Sequence, residues 1–175
     1  MSQIESNKEF DKRAHLYDFI QNLSPERTEE IKLWTDAQLK AIRKLIIDKG
    51  IDLRNSTIID MGGGTGRIAF PLSQECKKLI LVEPSEKMLL AAQGKLNHEK
   101  HGNIEFLQKG FLDINLPKDT ADVIISINDP FQFLLEKQEQ LVALEKMMYF
   151  LKPGGILILE IMNFFSAKRS TSAAT

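Results

Sequence analysis

Cysteine is nearly absent from this sequence: Cys76 is the only one, so no disulfide forms within the chain. A single thiol is typical of proteins from a reducing compartment. Long apolar runs are absent too, because runs such as residues 156–159 fall far short of the roughly 20 residues that cross a membrane. The first residues carry no apolar segment of the secretory type. We therefore expect a cytoplasmic protein without a membrane partner.

Charge of one sign is also lacking. The 23 Lys and Arg residues are balanced by 24 Asp and Glu residues, which gives a formal net charge of -1 and a pI near 6.3. No Lys/Arg block interleaved with aromatic residues occurs, although nucleic-acid binding depends on clustered basic residues. The sequence thus predicts no nucleic-acid partner. Its 175 residues, 43% of them apolar, suffice for one domain with a complete core.

Histidine is scarce, and its spacing does not indicate a metal site. His98 and His101 are two of the three histidines and stand at helical spacing. No Cys, Asp or Glu motif accompanies them in the pattern that zinc sites use. We predict a solvated segment here and no bound metal.

A helix start is the first positive feature of the chain. The segment Ser24-Pro25-Glu26 combines a hydroxyl cap, a proline for the first turn and an acid at the positive end of the helix dipole. One helix, or two in succession, is predicted from there to Lys49, with Gly50 as the stop. Trp34 could lie in the core or in the wall of a ligand pocket, and the core is favoured. The predicted apolar face of this helix comprises Leu39, Ile42, Leu45 and Ile46.

From residue 57 onward, short apolar runs alternate with stretches of helical periodicity. Strands that are apolar on both faces indicate a parallel sheet covered by helices on each side. Because parallel strands are joined by right-handed crossovers, the pattern predicts a doubly wound α/β fold. The five predicted strands are residues 57–60, 78–82, 104–107, 121–127 and 156–161. The helix before the last strand is predicted to end at the break formed by residues 152–155 and to present on one face Leu141, Leu144, Met148 and Leu151.

The same pattern divides the single domain into three parts. We expect residues 1–56 to form an N-terminal helical segment that packs on the core. Residues 57–165 are expected to form the α/β core itself. Residues 166–175 are small and polar, and we expect them to form a disordered tail.

The first predicted strand runs into the glycine loop Gly62-Gly63-Gly64-Thr65-Gly66. Chain reversal there needs positive φ, and a ligand close to the backbone leaves no room for a Cβ atom. Ligands of open α/β sheets bind at this end of the strands. The dinucleotide fingerprint needs glycine where Arg67 stands, the phosphate-loop motif is absent, and no Tyr-x-x-x-Lys pair occurs. The loop therefore disfavours a nicotinamide-dependent reductase.

An acid, Glu83, ends the second predicted strand. A carboxylate at this position can accept both ribose hydroxyls of an adenosine. Because the position of the acid agrees with the glycine loop, we favour this function over that of a solvated acid.

Several motifs, in the right order, resemble one known superfamily. Residues 58–66 resemble motif I of the class I S-adenosylmethionine-dependent methyltransferases, and residues 81–89 resemble their acidic loop after the second strand. Further similar segments are residues 111–113 after the third strand, 128–135 after the fourth and 151–155 before the fifth. The resemblance implies a Rossmann-like sheet of order 3-2-1-4-5, with S-adenosylmethionine as cofactor and S-adenosylhomocysteine as product.

The resemblance also implies which residues contact the methionine part of that cofactor. Gly62, Gly64 and Gly66 pass beneath it in relatives with this motif. Asp60 orients either the loop or the cofactor's ammonium group. Asn128 lines the site near the sulfonium.

On the adenosine side, the resemblance assigns the ribose to Glu83. Met88 and Leu112 are expected to pack on the adenine ring, and Asp113 to accept a hydrogen bond from its amino group. Tyr17, in a short Tyr-Asp element, is expected either to fold over the cofactor or to pack in the core.

The implied activity is methyl transfer to a small molecule. Such a transfer is an in-line displacement, so positioning of the reactants supplies much of the catalysis. A general base is required only for a protonated nucleophile, and no catalytic residue is singled out by spacing. The groups that could approach the methyl are His15, Tyr17, Asp129, Glu160 and Asn163. The alternative is a truncated, non-catalytic S-adenosylmethionine-binding domain that serves as a sensor or assembly partner.

The chain departs from its relatives after the fifth strand. Relatives continue with a helix and an antiparallel hairpin, whereas this sequence ends soon after Ile161, so the predicted sheet is C-terminally short. The strand at 156–161 is then an apolar edge, and such edges tend to pair or to be covered. We expect a homodimer through this fifth strand, or an edge covered by the N-terminal helices or the tail.

Overall fold

Five parallel strands form the sheet in the computed structural model, which describes residue 11 and residues 24–161. The strands are β1 (Thr57–Met61), β2 (Lys78–Val82), β3 (Ile104–Leu107), β4 (Ala121–Ser126) and β5 (Leu151–Leu159). Their order is β3-β2-β1-β4-β5, and every neighbouring pair is parallel. The predicted doubly wound fold and strand order are confirmed.

The helix predicted from Pro25 towards Lys49 is one continuous element, Pro25–Asp48. Its cap is Ser24, whose side chain accepts a hydrogen bond from the main-chain N–H of Arg27 at 3.1 Å, and its end is followed by Gly50 at φ +77°. Within residues 24–161 the helices are α1 (Pro25–Asp48), α2 (Ala69–Ser73), α3 (Glu86–Gly94), α4 (His98–His101) and α5 (Lys137–Phe150). Short 3₁₀ turns occupy Leu53–Asn55 and Pro130–Phe133.

The sheet separates two apolar layers, because successive strand residues point to opposite faces. One layer holds the buried residues Leu39, Ile42 and Ile46 of α1 against alternate residues of the central strands, such as Ile58 and Val123. The other layer packs α5 on the opposite face through Ala143, Met147 and Phe150. The three inner strands β1, β2 and β4 are therefore buried on both sides over most of their length, as their uninterrupted apolar runs predict.

Four side chains predicted for the core or for a buried helix face are exposed instead. Leu45 of α1 is 44% exposed, because the buried face of this helix is formed by Leu39, Ile42 and Ile46. Leu141 and Met148 of α5 are 44% and 59% exposed, because the helix turns Ala143 and Met147 to the sheet. The small Ala143 allows close approach at that contact, which apolar spacing alone does not reveal. On α1, Trp34 is 46% exposed and lies beneath the guanidinium of Arg67, 5.0 Å from the ring centroid.

The turn between α5 and β5 is also tighter than predicted. The helix ends at Phe150 and the strand begins at Leu151, so residues 152–155 belong to β5. They form an irregular stretch in which the register with β4 shifts between Ala121 and Val123. Strand pairing thus resumes at Ile156, where the sequence predicts that the strand begins.

No helix within residues 24–161 is long and apolar enough to cross a membrane. Residues 166–175, predicted to form a tail, lie outside the described residues. The division of the chain at residues 56 and 165 stays a prediction.

Candidate cofactor site

A cleft that is partly open to solvent lies beyond the carboxyl ends of β1, β2 and β4. This is the edge at which open α/β sheets bind ligands. The lining residues are Asp60, Gly62, Gly63, Gly64, Thr65, Arg67, Ile68, Glu83, Pro84, Met88, Phe111, Ile127, Asn128, Pro130, Phe133 and Leu134.

The glycine loop forms the floor of the cleft, and its glycines serve different purposes. Gly62, Gly64 and Gly66 all have positive φ, at +77°, +55° and +87°. A Cβ atom on Gly62 would lie 2.4 Å from Cβ of Pro130, and one on Gly66 would lie 2.4 Å from the ring of Phe70. Within the described residues, a Cβ atom on Gly64 would meet nothing within 4 Å. The protein's own packing therefore leaves no room for a Cβ atom at Gly62 or Gly66, whereas Gly64 faces open space in the cleft.

Glu83 joins the end of β2 to this loop. Its side chain is buried, and its two oxygens accept hydrogen bonds from the main-chain N–H groups of Gly64 and Ser85, each at 2.9 Å. Burial raises the pKa of the Glu83 carboxyl to about 6, although both hydrogen bonds act in the opposite direction. The acid is thus held at the cleft wall, and its pKa lies closer to neutral pH than that of an ordinary glutamate.

Asp60 is the penultimate residue of β1, directly before the loop, and is only 2% exposed. Within the described residues, no group donates a hydrogen bond to its Oδ2 atom. Burial and the neighbouring Glu83 carboxylate raise the pKa of Asp60 to about 7, and Arg67 opposes this shift. An unpaired buried carboxylate oxygen is costly, so this position favours a ligand that brings N–H donors or positive charge.

The opposite wall follows β4 and has a strained backbone. Asn128 and Asp129 are consecutive residues with left-handed φ, at +68° and +63°. Such non-glycine conformations persist where surrounding contacts hold them, and they concentrate at functional sites. Here the N–H of Asn128 donates to Oε2 of Glu160 at 2.9 Å, and its Oδ1 accepts from Nε2 of Gln38 at 3.0 Å.

The predicted adenine contacts divide into two groups. Met88, 2% exposed, lines the cleft together with Phe111, which the sequence did not single out. Leu112 and Asp113 are absent from the lining. The Asp113 carboxylate accepts a hydrogen bond from the N–H of Gly110, so it closes its own turn at the surface. Their contact with adenine stays a prediction, and Tyr17 lies outside the described residues.

Sequence reasoning missed the helix that borders the site. Arg67, the one basic residue among the described residues of the lining, donates to Thr35 Oγ1 at 2.6 Å and to Gln38 Oε1 at 2.8 Å. Gln38 is buried beside Leu39 on the apolar face of α1. A polar residue on a buried helix face was the available signal, because such groups need partners.

Comparison with known proteins bears directly on this geometry. A family described as a methyltransferase domain matches residues 58–155, which is more than half of the chain. The chain belongs to this methyltransferase domain family. The glycine loop, Glu83 and Asn128 all lie within the matched segment.

A sequence relative supports the same assignment. The chain is 33% identical over 123 residues to the ubiquinone/menaquinone biosynthesis C-methyltransferase UbiE of Escherichia fergusonii. That match covers 67% of this chain and 47% of the relative, so the chain spans about half the length of the curated relatives it matches.

Solved structures share the fold. An S-adenosylmethionine-dependent methyltransferase from Clostridium acetobutylicum is 20% identical with a TM-score of 0.68, over 92% of this chain and 61% of the other. The Haemonchus contortus phosphoethanolamine N-methyltransferase 1, in complex with phosphoethanolamine and S-adenosylhomocysteine, is 18% identical with a TM-score of 0.67, over 89% and 31% of the two chains. Both likenesses concern the fold.

S-adenosylmethionine is the cofactor of this superfamily, and the methyltransferase domain offers groups that fit it. The ammonium group of S-adenosylmethionine is a suitable donor for the buried Oδ2 of Asp60, which has no donor within the described residues. Its ribose hydroxyls match the carboxylate of Glu83. The open space above Gly64 leaves room for the ligand at the loop.

The candidates for a catalytic group are only partly described. His15, Tyr17 and Asn163 lie outside the described residues, and Asp129 and Glu160 are not among the lining residues. Oε2 of Glu160 accepts from Gln38 and from the N–H of Asn128. These contacts indicate that Glu160 holds its neighbours in position. Among the described residues, no group of three or more His, Cys, Asp or Glu is arranged to hold a metal ion.

Proposed function

We propose that this chain binds S-adenosylmethionine in the cleft and catalyses methyl transfer to a small-molecule acceptor. The observation that carries the proposal is the pairing of two buried carboxylates at the glycine loop. Asp60 has an oxygen without a donor in the described residues, and Glu83 is fixed beside Gly64. A cationic ligand with ribose hydroxyls compensates both acids at once.

The residues of the chain act mainly by orientation. When bound, S-adenosylmethionine supplies an electrophilic methyl group. Asp60 and Glu83 hold the two polar ends of the ligand, Gly64 leaves space beside the loop, and Met88 provides an apolar wall. Asn128, fixed from two sides, orients its amide at the far wall. Rigid placement of this kind converts binding energy into rate by aligning the reacting atoms.

Three observations support a small-molecule acceptor. The net charge of -1 offers no field for nucleic acid, the cleft is enclosed largely by apolar side chains such as Phe111 and Leu134, and the UbiE relative is named for quinone biosynthesis. The acceptor itself is not assigned. A cytoplasmic location belongs to the same proposal and follows from the single cysteine.

Calorimetry with S-adenosylmethionine, S-adenosylhomocysteine and NAD(H) tests the cofactor. We expect saturable one-to-one binding of the first two ligands and none of the third. Absence of binding to S-adenosylmethionine would overturn the proposal.

Turnover is tested by S-adenosylhomocysteine formation with small acceptors that carry amine, hydroxyl or activated carbon nucleophiles. We expect product with at least one of these classes. Tight binding without product in any class would favour the alternative of a non-catalytic S-adenosylmethionine-binding domain.

A further inference from the structure

A single buried amide connects α1 to the cofactor cleft. Gln38 Nε2 donates to Oε2 of Glu160 at 2.6 Å and to Oδ1 of Asn128 at 3.0 Å. At the other end of the amide, Oε1 accepts from NH1 of Arg67 at 2.8 Å. These partners follow β5, β4 and the glycine loop respectively, so one side chain links three chain segments to α1.

The chemistry of these partners explains why a glutamine is needed. Arg67 can only donate hydrogen bonds, and an ionised Glu160 can only accept them. A neutral side chain that joins the two must accept at one end and donate at the other, as a carboxamide does. Both Nε2 hydrogens are used, so the amide orientation is determined by its surroundings and the buried group is satisfied.

The contacts of Gln38 fall on residues that form the cleft. Arg67 and Asn128 both line it, and Asn128 has the left-handed φ of +68° that requires external support. Glu160 supports the same residue by accepting from its N–H. Removing Gln38 would therefore take one support from Asn128 and one from Arg67, while Arg67 would keep its hydrogen bond to Thr35 Oγ1 at 2.6 Å.

We propose that Gln38 is a positioning residue for the cofactor site, holding Asn128 and Arg67 in the geometry that receives S-adenosylmethionine. The inference rests on the proposed function. It makes α1, which precedes the matched family segment at residues 58–155, a working part of the site.

The protein carries its own reporter of this network. Trp34 is the single tryptophan of the sequence, and the guanidinium of Arg67 lies 5.0 Å from the centroid of its ring. A cation over an indole ring covers it from solvent and perturbs its electronic environment. The fluorescence emission wavelength of Trp34 should therefore depend on the position of Arg67. It can be measured on the protein without cofactor.

Two substitutions distinguish the contributions of the two ends of the Gln38 amide. Gln38→Met fills the same space without any hydrogen bond, and we expect S-adenosylhomocysteine affinity to fall about tenfold and Trp34 emission to move to longer wavelength. Gln38→Glu keeps an acceptor for Arg67 but places a second carboxylate against Glu160. It should lower affinity by a similar factor and leave the Trp34 emission unchanged.

A matched control removes a different polar contact between α1 and the rest of the domain. Arg43 binds Glu75 in a bidentate ion pair, with contacts of 2.6–3.1 Å, and neither residue lines the cleft. Glu75→Gln should lower the free energy of unfolding in urea without changing either the affinity or the emission. This variant separates attachment of the helix from placement of the site.

The outcomes are distinct. Wild-type protein that fails to bind S-adenosylhomocysteine refutes the proposed function and, with it, this role for Gln38. Wild-type binding with unchanged affinity in a folded Gln38→Met variant refutes only the role of Gln38, as does an equal loss of affinity in Glu75→Gln. If Gln38→Met does not fold, unchanged affinity in Gln38→Glu overturns the inference.

Discussion

The main-chain N–H of Gly64 donates to Oε2 of Glu83 at 2.9 Å, so the glycine loop after β1 and the acid after β2 hold each other in place. The second oxygen of Glu83 accepts from the N–H of Ser85, whose hydroxyl caps α3. One buried carboxylate therefore orders the loop and the start of the next helix before any ligand binds. Preorganisation of this kind lowers the cost of binding.

The first prediction concerns this acid. Glu83→Ala should weaken S-adenosylmethionine binding by about 1–3 kcal/mol, because charge-assisted hydrogen bonds to the ribose are lost and the loop loses its support. Calorimetry measures the change. Glu86→Ala is the control, because that acid is exposed at the start of α3 and does not line the cleft. Equal affinity in both variants would contradict the assignment of Glu83.

The second prediction separates two glycines of one loop. Gly64→Ala should still fold, because its Cβ atom meets open space. Its left-handed φ should lower the free energy of unfolding by about 1–2 kcal/mol. The variant should nevertheless bind S-adenosylhomocysteine far more weakly, since that space belongs to the ligand. Gly64→Val, with a larger and branched side chain, should abolish binding by steric exclusion.

Gly66→Ala is expected to affect stability more than Gly64→Ala does. Its Cβ atom would lie 2.4 Å from the Phe70 ring, so the free energy of unfolding in urea should fall by more than in Gly64→Ala. If the alanine at Gly64 proved the more destabilising of the two, or left affinity unchanged, the reading of the open space as ligand space would be wrong.

Much of the fold follows from local sequence, and the site only in part. The strands are short apolar runs, and the glycine loop and Glu83 follow two of them directly, so their meeting at one sheet edge is a consequence of parallel topology. The contacts of Gln38 are different. Its partners Asn128 and Glu160 stand 90 and 122 residues away, and no local pattern encodes such distances.

Two local features have physical reasons. Asp113 accepts from the N–H of Gly110, a turn contact that aspartate makes readily, and its contact with adenine stays a prediction. The face of α5 was misassigned because Leu141 and Met148 are larger and more apolar than Ala143. The helix instead buries Ala143 and Met147, since a small residue permits closer packing on the sheet.

The third prediction concerns pH. Asp60 titrates near 7 instead of its ordinary 3.8, and Glu83 near 6 instead of 4.5. Each folded-state pKa is raised, so the folded protein binds these protons more tightly than the unfolded chain does. Their contribution to stability is full below about pH 4 and is lost as the pH rises towards about 7. Thermal unfolding of the ligand-free protein should show this loss.

Asp60→Asn supplies the control for that measurement. The variant cannot titrate at this position, so the difference in stability between wild type and variant should change with pH over the same interval. Cofactor binding should respond with the opposite sign, because ionised carboxylates attract the ammonium and accept from the ribose. A pH-independent difference in stability between the two proteins would show that Asp60 titrates normally.

The last prediction concerns the edge of the sheet. Within residues 24–161, β5 pairs with β4 alone. Glu160 donates its N–H to the carbonyl of Ser126 at 2.9 Å, so the alternation of the strand turns the amides of Leu157 and Leu159 away from β4. Outward amides on an apolar strand form a template for pairing. We still expect a homodimer across β5, or cover by the N-terminal or C-terminal segments.

The side chains of Leu157 and Leu159 pack on the core layer beside α5, so replacing them with lysine would damage the fold together with the edge. Proline at a single position is the sharper test, because it removes a donor from one side of the strand. Leu159→Pro deletes an outward N–H and should convert a dimer to a monomer in sedimentation experiments. Ile158→Pro deletes an N–H on the side of β4 and should lower the free energy of unfolding instead. Wild-type protein that stays monomeric at high concentration, with rapid hydrogen exchange at the amides of Leu157 and Leu159, would show that neither a second copy nor another segment covers this edge.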